Sequence, residues 1–122
     1  MSTVLIVDDD HSIRKAIHAL FDCSGGFDVC IEACNGIEAI AETQQLSPNL
    51  AVVDLSMPEM AGLGLAQKLK AISPALSIFV LTADYDMSIE REALSCGATA
   101  VFSKLDDLST IVANARAVCG MD

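Results

Sequence analysis

Hydrophobic residues along the chain fall into short unbroken runs that alternate with longer stretches of helical periodicity. Runs with few charges and many Val, Ile and Leu residues predict strands that are buried on both faces of a parallel sheet. Five strands are predicted, and only the second alternates loosely between apolar and polar residues. They are Thr3–Val7, Asp28–Ala33, Leu50–Val53, Ser77–Leu81 and Ala100–Ser103.

Between and after these strands, apolar residues recur at the three- and four-residue spacing of amphipathic helices. Asp10 or Ser12 can cap the first helix, and Asn35 with Glu38 resembles a capping box for the second. Gly97 stands where helices favour glycine after their last turn. The residues predicted to line the inner faces are Ile13, Ile17, Leu20 and Phe21, then Ile37, Ile40 and Ala41, then Leu65, Leu69 and Ile72, and finally Leu108, Ile111, Val112, Ala115 and Val118.

Five repeats of strand then helix predict an α/β protein with a parallel sheet covered by helices on both faces. The chain has 122 residues, a usual size for one domain, and no linker or low-complexity segment divides it. We therefore expect one doubly wound domain over residues 1–122.

The composition argues against several classes of function. Seventeen acidic and seven basic residues give a net charge of −10, which argues against non-specific binding to nucleic acid or anionic membranes. No segment approaches the roughly 20 apolar residues needed to span a bilayer, and we expect no signal peptide. The five cysteines lie within apolar patterns, and no His stands at zinc-ligand spacing, so we expect buried free thiols in a cytosolic protein.

Polar residues collect at the carboxyl ends of the predicted strands, which meet at one edge of a parallel sheet. They are Asp8 and Asp9 after the first strand, Asp54 after the third, Thr82 after the fourth and Lys104 after the fifth. Carboxylates this close raise each other's pKa and require a counter-ion. Mg²⁺ is suited to such a site, since it binds carboxylates, waters and phosphate oxygens, and a lysine is a point charge suited to phosphate.

Four short motifs carry this site in a specific order: Val7-Asp8-Asp9, Asp54 followed by Met57-Pro58-x-Met60-x-Gly62, Leu81-Thr82-Ala83, and Gly97-Ala98 leading to Lys104. In order and spacing they resemble the receiver domain of two-component response regulators, and the resemblance covers the whole chain. It implies a flavodoxin-like sheet of strand order 2-1-3-4-5.

The resemblance also implies roles for the site residues. Asp54 would be the phosphoacceptor, Lys104 would pair with a phosphoryl oxygen, and Thr82 would hydrogen-bond another. The implied ligands of Mg²⁺ are Asp9, Asp8 directly or through water, Asp54, and the backbone carbonyl of Ser56. Such a chain catalyses only its own phosphorylation and dephosphorylation, so it would not be an enzyme that acts on other substrates.

The implied partners are a sensor histidine kinase or a phosphotransfer protein, and a second copy bound through the fourth helix, fifth strand and fifth helix. We expect a cytoplasmic location, no direct binding of nucleic acid and no membrane association. The sequence stops just after the fifth predicted helix. It would be either a stand-alone regulator or a receiver whose output domain lies outside this chain.

The chain departs from the family pattern at three positions. Ala61 stands where Asp or Asn is common and is expected to tune the loop. Leu105 replaces a frequent proline, so the isomer of the preceding peptide bond is not predicted. Val101 replaces the family's switch aromatic and is too short and stiff to swing. The signal is therefore predicted to pass through Thr82 and through displacement of the Ala83–Met87 loop and the helix that follows it, with Val101 as a passive packing residue.

Two other classes of protein stay open at this point. A haloacid-dehalogenase-like phosphatase would use Asp8-x-Asp10, Thr82, Lys104 and Asp106-Asp107, but it leaves Asp54 without a role. A receiver-like module that is not phosphorylated would serve interactions only, and only Val101 supports it. A flavin-binding protein is disfavoured, since no loop has the Ser, Thr and Gly density that a flavin phosphate needs.

Overall fold

The computed structural model describes residues 2–55, 62–104 and 107–120. Strands and helices alternate throughout these ranges, as predicted, and each strand bound lies within one residue of its prediction. The elements are β1 Ser2–Val7, α1 His11–Ser24, β2 Phe27–Ala33, α2 Gly36–Leu46, β3 Leu50–Asp54, α3 Gly62–Ile72, β4 Ser77–Thr82, α4 Met87–Ser95, β5 Ala100–Ser103 and α5 Leu108–Val118.

The five strands form one parallel sheet of order β2-β1-β3-β4-β5, which confirms the predicted flavodoxin-like α/β fold. Val7 of β1 lies opposite Val53 of β3, so the next residues, Asp8 and Asp54, follow equivalent positions on adjacent strands. The register of the sheet therefore brings two acids together before any side-chain contact is considered.

Two hydrophobic clusters lie on opposite faces of the sheet. Side chains of α1 and α5 cover one face, and side chains of α2, α3 and α4 cover the other. Because successive strand residues point to opposite faces, Val101 packs on the side of α4 while Phe102 packs on the other side. The Phe102 ring contacts Phe79, with centroids 5.1 Å apart. Phe102 therefore cannot take the place of an aromatic at position 101.

The helix boundaries follow from their caps. Asp10, one of two candidates, is the N-cap of α1 and accepts hydrogen bonds from the backbone N–H groups of Ser12 and Ile13. Asn35 accepts from the N–H of Glu38, whose carboxylate accepts in return from the N–H of Cys34. Each cap satisfies backbone donors that the first turn of a helix leaves without partners.

The predicted inner face of α2 was wrong. Ile37 is 74% exposed and Ala41 is exposed, whereas Ile40 is partly buried. The buried residues of this helix are Gly36, Ala39 and Thr43. These small side chains occupy the space against the sheet, and the Thr43 hydroxyl donates to the carbonyl of Ala39 (2.8 Å), so its burial leaves no donor unsatisfied. Two other predicted inner residues, Ile72 and Val118, are exposed in the last turns of their helices.

The cysteines are free, as predicted, but the prediction that they are buried was wrong. Cys23 and Cys34 are exposed, and the other three are half-buried. Cys23 lies two residues after the buried Phe21, on the outer side of the last turn of α1, and Cys34 lies in the turn after β2. The apolar character of the neighbouring sequence did not distinguish these positions from the inward-facing ones.

Candidate functional site

Three acids meet at the carboxyl edge of the sheet. Asp8 and Asp54 are each 1% exposed, and Asp9 is exposed at the surface. One carboxylate oxygen from each of the three lies within 4.8 Å of the others. The strands before these acids are buried and apolar, so the chain forces two carboxylates into a site that water reaches poorly. We refer to Asp8, Asp9 and Asp54 as the acidic pocket.

Lys104 reaches the acidic pocket from the end of β5. Its Nζ lies 2.9 Å from Asp54 Oδ1 and 3.6 Å from Asp8 Oδ2. Its backbone N–H donates to the carbonyl of Thr82 (2.8 Å), which fixes the strand end from which the side chain extends. Burial alone would lower the pKa of Lys104, but the hydrogen bond to Asp54 and the charges of Asp8 and Asp54 raise it. The side chain is therefore an ammonium ion at neutral pH.

The Asp8 carboxylate accepts a hydrogen bond at one oxygen and lies beside the Lys104 ammonium at the other. Its Oδ1 accepts from the backbone N–H of Asp10 (2.8 Å). Its Oδ2 is buried and receives no hydrogen bond from the part of the chain described here. Burial raises the pKa of Asp8 to about 6; the Asp10 N–H opposes this rise, and the negative charge of Asp54 adds to it. Hard oxygen donors, crowded charge and a buried carboxylate oxygen are the features that suit Mg²⁺.

The raised pKa gives a prediction for the metal-free protein. The folded state holds the Asp8 proton more tightly than the unfolded chain, so this group lowers stability as pH rises from about 4 to about 6. Asp8→Asn should therefore raise the free energy of unfolding at neutral pH by about 1 to 3 kcal/mol. The gain should fade as the pH falls towards 4.

Urea denaturation in EDTA at several pH values measures this difference. Asp28→Asn, at an exposed aspartate of β2, is the matched control and should change stability little at any pH. A variant at Asp8 that is less stable than the parent at neutral pH would show that the buried charge is compensated.

Thr82 is the last residue of β4, the strand that pairs with β3, and its side chain is 5% exposed. Its Oγ1 accepts from the backbone N–H of Asp84 (3.2 Å), which ties the hydroxyl to the loop that follows β4. In the same loop, the Tyr85 hydroxyl donates to the carboxylate of Glu90 on α4. A change at Thr82 can thus be transmitted directly to the loop and to the start of α4.

The structure brings together Asp8, Asp9, Asp54 and Lys104, with Thr82 at the end of the adjoining strand. Several residues named from the sequence lie outside the described residues: Ser56, Met57, Pro58, Met60, Ala61, Leu105 and Asp106. The proposed Ser56 ligand and the peptide bond before Leu105 therefore have no structural description.

Two acids that the phosphatase alternative requires have other roles. Asp10 is exposed and caps α1, and Asp107 is exposed and caps α5 by accepting from the N–H of Ser109 (3.0 Å). The ammonium of Lys104 lies closer to Asp54 than to Asp8. These positions favour Asp54 over Asp8 as the reacting carboxylate.

Sequence reasoning missed Arg14 and Glu32, which lie behind the acidic pocket and bind each other (2.8 Å). A signal was present in two places. Glu32 is an acid near the end of an otherwise largely apolar strand, and Arg14, Lys15 and His18 place basic groups along α1, the helix that packs beside it.

Comparison with known proteins agrees with this fold. The family model "Response regulator receiver domain" matches residues 4–116. A putative transcriptional regulator of Pseudomonas aeruginosa is 37% identical over 118 residues, which cover 97% of this chain and 56% of that protein. The virulence factors putative positive transcription regulator BvgA of Bordetella pertussis is 32% identical over 115 residues, covering 94% and 54%.

Among solved structures, the chemotaxis protein CheY4 of Vibrio cholerae superposes with a TM-score of 0.88 at 27% identity, covering 97% of this chain and 98% of that one. The chain belongs to the response regulator receiver domain family of two-component systems. It spans about half the length of the two transcription regulators that it matches. No helix in the described ranges is long and apolar enough to cross a membrane.

Proposed function

We propose that this receiver accepts a phosphoryl group on Asp54 from the phosphohistidine of a sensor histidine kinase or phosphotransfer protein. One observation carries the proposal. The Asp54 carboxylate is buried at a strand end, 2.9 Å from the Lys104 ammonium, and shares its pocket with Asp8 and Asp9. Phosphoryl transfer to a carboxylate requires a nucleophile that lies beside a cation. The cation can then contact the oxygens of the incoming phosphoryl group.

The transfer is a displacement at phosphorus. An oxygen of Asp54 forms a bond to phosphorus while the bond from phosphorus to the histidine nitrogen breaks, and the imidazole leaves with the electron pair and takes up a proton. Lys104 stabilises the charge on the transferred group, as its ammonium already lies beside Asp54. The Thr82 hydroxyl, at the next strand end, donates to a phosphoryl oxygen.

The acidic pocket fits Mg²⁺, since it supplies hard oxygen donors and a buried Asp8 oxygen without a hydrogen bond in the described chain. Asp9, Asp54 and Asp8, directly or through water, would hold the ion, with the carbonyl of Ser56 as a further ligand. When bound, Mg²⁺ neutralises negative charge on the acids and on the phosphoryl oxygens. Lys104 alone supplies one positive charge, which does not balance the charge of three carboxylates.

Phosphorylation should therefore depend on the metal. Incubation of the chain with acetyl phosphate and Mg²⁺ should add one phosphoryl group that is labile in acid and base, as seen by intact mass. The same mixture with excess EDTA should give no modified protein. Steady hydrolysis of a phosphate ester with no modified protein would instead support the phosphatase alternative, and no reaction at all would support the interaction module.

The chain is proposed to act as one receiver domain over residues 1–122 in the cytoplasm, without binding nucleic acid itself. Its two relatives above are named as transcription regulators and are about twice its length, which supports an output domain or a separate target beyond this chain. We expect the phosphorylated form to pair through the face of α4, β5 and α5.

The switch should act through Thr82. When the hydroxyl turns towards a phosphoryl group, the Asp84 N–H loses its acceptor and the Ala83–Met87 loop is released. With beryllofluoride as the phosphoryl mimic, Thr82→Ala should lose most of the dimerisation response, and Val101→Ala should keep it. Analytical ultracentrifugation measures both. A response that is lost in Val101→Ala and kept in Thr82→Ala would reverse this assignment.

A further inference from the structure

The backbone of the acidic pocket is bound from behind by Arg14. This residue lies in the first turns of α1, and its side chain is 13% exposed. Its Nη1 donates to the backbone carbonyl of Asp8 (2.7 Å), and its Nε donates to Glu32 Oε1 on β2 (2.8 Å). A single guanidinium thus connects the end of β1 with the neighbouring strand.

The Asp8 carbonyl belongs to the peptide group that joins Asp8 to Asp9. The orientation of this group decides where both carboxylates lie, since it links their two Cα atoms through a rigid plane. On its other side Asp8 is fixed by its own N–H, which donates to the carbonyl of Ala33 (3.2 Å), and by the Asp10 N–H, which donates to its Oδ1 (2.8 Å). Arg14 supplies the side-chain restraint on this peptide plane.

Glu32 holds Arg14 in place. Its second oxygen accepts from Lys15 Nζ (2.9 Å) and from His18 Nδ1 (2.6 Å), which leaves Oε1 for Arg14. Burial would raise the pKa of Glu32, but hydrogen bonds from Lys15, His18 and Arg14 lower it to about 2. The carboxylate is therefore ionised at neutral pH, and the guanidinium cannot rotate away from the Asp8 carbonyl without losing its bond to Glu32.

We propose that Arg14 is a positioning residue that holds Asp8 and Asp9 in the orientation that binds Mg²⁺, with Glu32 as its anchor. This inference rests on the proposed function, which assigns those two acids to the metal. Only a guanidinium fork can bond the Asp8 carbonyl and Glu32 together, because a lysine ammonium is a single point on a flexible stem.

The direction of the change in Mg²⁺ affinity distinguishes a positioning role of Arg14 from an electrostatic one. Arg14 is a cation near a proposed cation site, so on electrostatic grounds alone its loss would strengthen Mg²⁺ binding. Positioning requires the opposite. Arg14→Lys keeps the charge and removes the fork, and it should bind Mg²⁺ about tenfold more weakly than the parent.

Two further variants complete the set. Glu32→Gln should also weaken Mg²⁺ binding, since it loosens the anchor and leaves the guanidinium present. Loss of a negative charge near the site acts in the same direction, so the metal-free exchange measurement below decides for this variant. Lys15→Met is the matched control, because it removes a positive charge from Glu32 without touching the Asp8 carbonyl. Its Mg²⁺ affinity should stay within about twofold of the parent. Isothermal titration of the full chain with MgCl₂ gives all four values.

A measurement without metal tests the same restraint. The Asp10 N–H reports on the loop because it donates to Asp8 Oδ1. In EDTA its hydrogen exchange should be about tenfold faster in Arg14→Lys than in the parent, and unchanged in Lys15→Met. Should Arg14→Lys not fold, Glu32→Gln carries the test through the exchange of the Asp10 N–H, which is measured without metal.

Mg²⁺ binding by Arg14→Lys and Glu32→Gln that equals or exceeds that of the parent would overturn the positioning role, as would unchanged Asp10 exchange. A parent protein that does not bind Mg²⁺ would instead overturn the proposed function. The two failures are therefore distinct.

Discussion

Asp54→Asn should abolish phosphorylation by acetyl phosphate and Mg²⁺, because a neutral amide is not a nucleophile towards phosphorus. The substitution keeps the shape of a side chain that is 1% exposed, so loss of the fold is not expected. It also removes one of two buried carboxylates that compete for the same ammonium. The metal-free variant should therefore be at least as stable as the parent.

Asp84→Asn is the matched control for this variant, since Asp84 is an exposed aspartate in the loop after β4, at the same edge of the sheet. It should be phosphorylated at nearly the parental rate. Modification of Asp54→Asn at a rate close to that of the parent would mean that another residue is the phosphoacceptor.

Lys104→Met should slow phosphorylation by roughly 100-fold or more, since it removes a preorganised cation from the transferred group. The same change leaves Asp8 and Asp54 buried without their ammonium partner. Loss of one partner of a buried pair typically costs 3–5 kcal/mol, and we expect about 3 kcal/mol from urea denaturation at neutral pH without metal. The loss should be smaller below about pH 6, where Asp8 takes up a proton.

The exposed Lys68 of α3 provides the control, and Lys68→Met should leave both rate and stability unchanged. A Lys104→Met protein that is phosphorylated at the parental rate would remove the lysine from the transfer step. A parental free energy of unfolding would show that other groups compensate the two acids.

The strands and the site were predictable because both follow from local composition. Buried parallel strands need uncharged runs, and such runs end where the chain meets water. The carboxyl ends of parallel strands share one edge, so Asp8, Asp54 and Lys104 had to lie along the same edge once the sheet was parallel. How close they lie depends on the strand order. The strand order itself came from the resemblance to a family.

The wrong predictions concern positions whose burial depends on how one element packs against another, which the local sequence does not show. Ile37 looked like a core residue, yet α2 approaches the sheet through Gly36 and Ala39. The bond from Arg14 to Glu32 joins residues 18 positions apart. No periodicity of one helix or one strand reveals it, since it depends on how α1 packs beside β2.

The most direct test of Asp54 as the phosphoacceptor is to locate the phosphoryl group. Reduction of the phosphorylated chain with borohydride converts an aspartyl phosphate to homoserine, which peptide mass spectrometry assigns to one residue. We predict conversion of Asp54 and of no other aspartate. Conversion of Asp8 with Asp54 intact would contradict it and would support the phosphatase alternative.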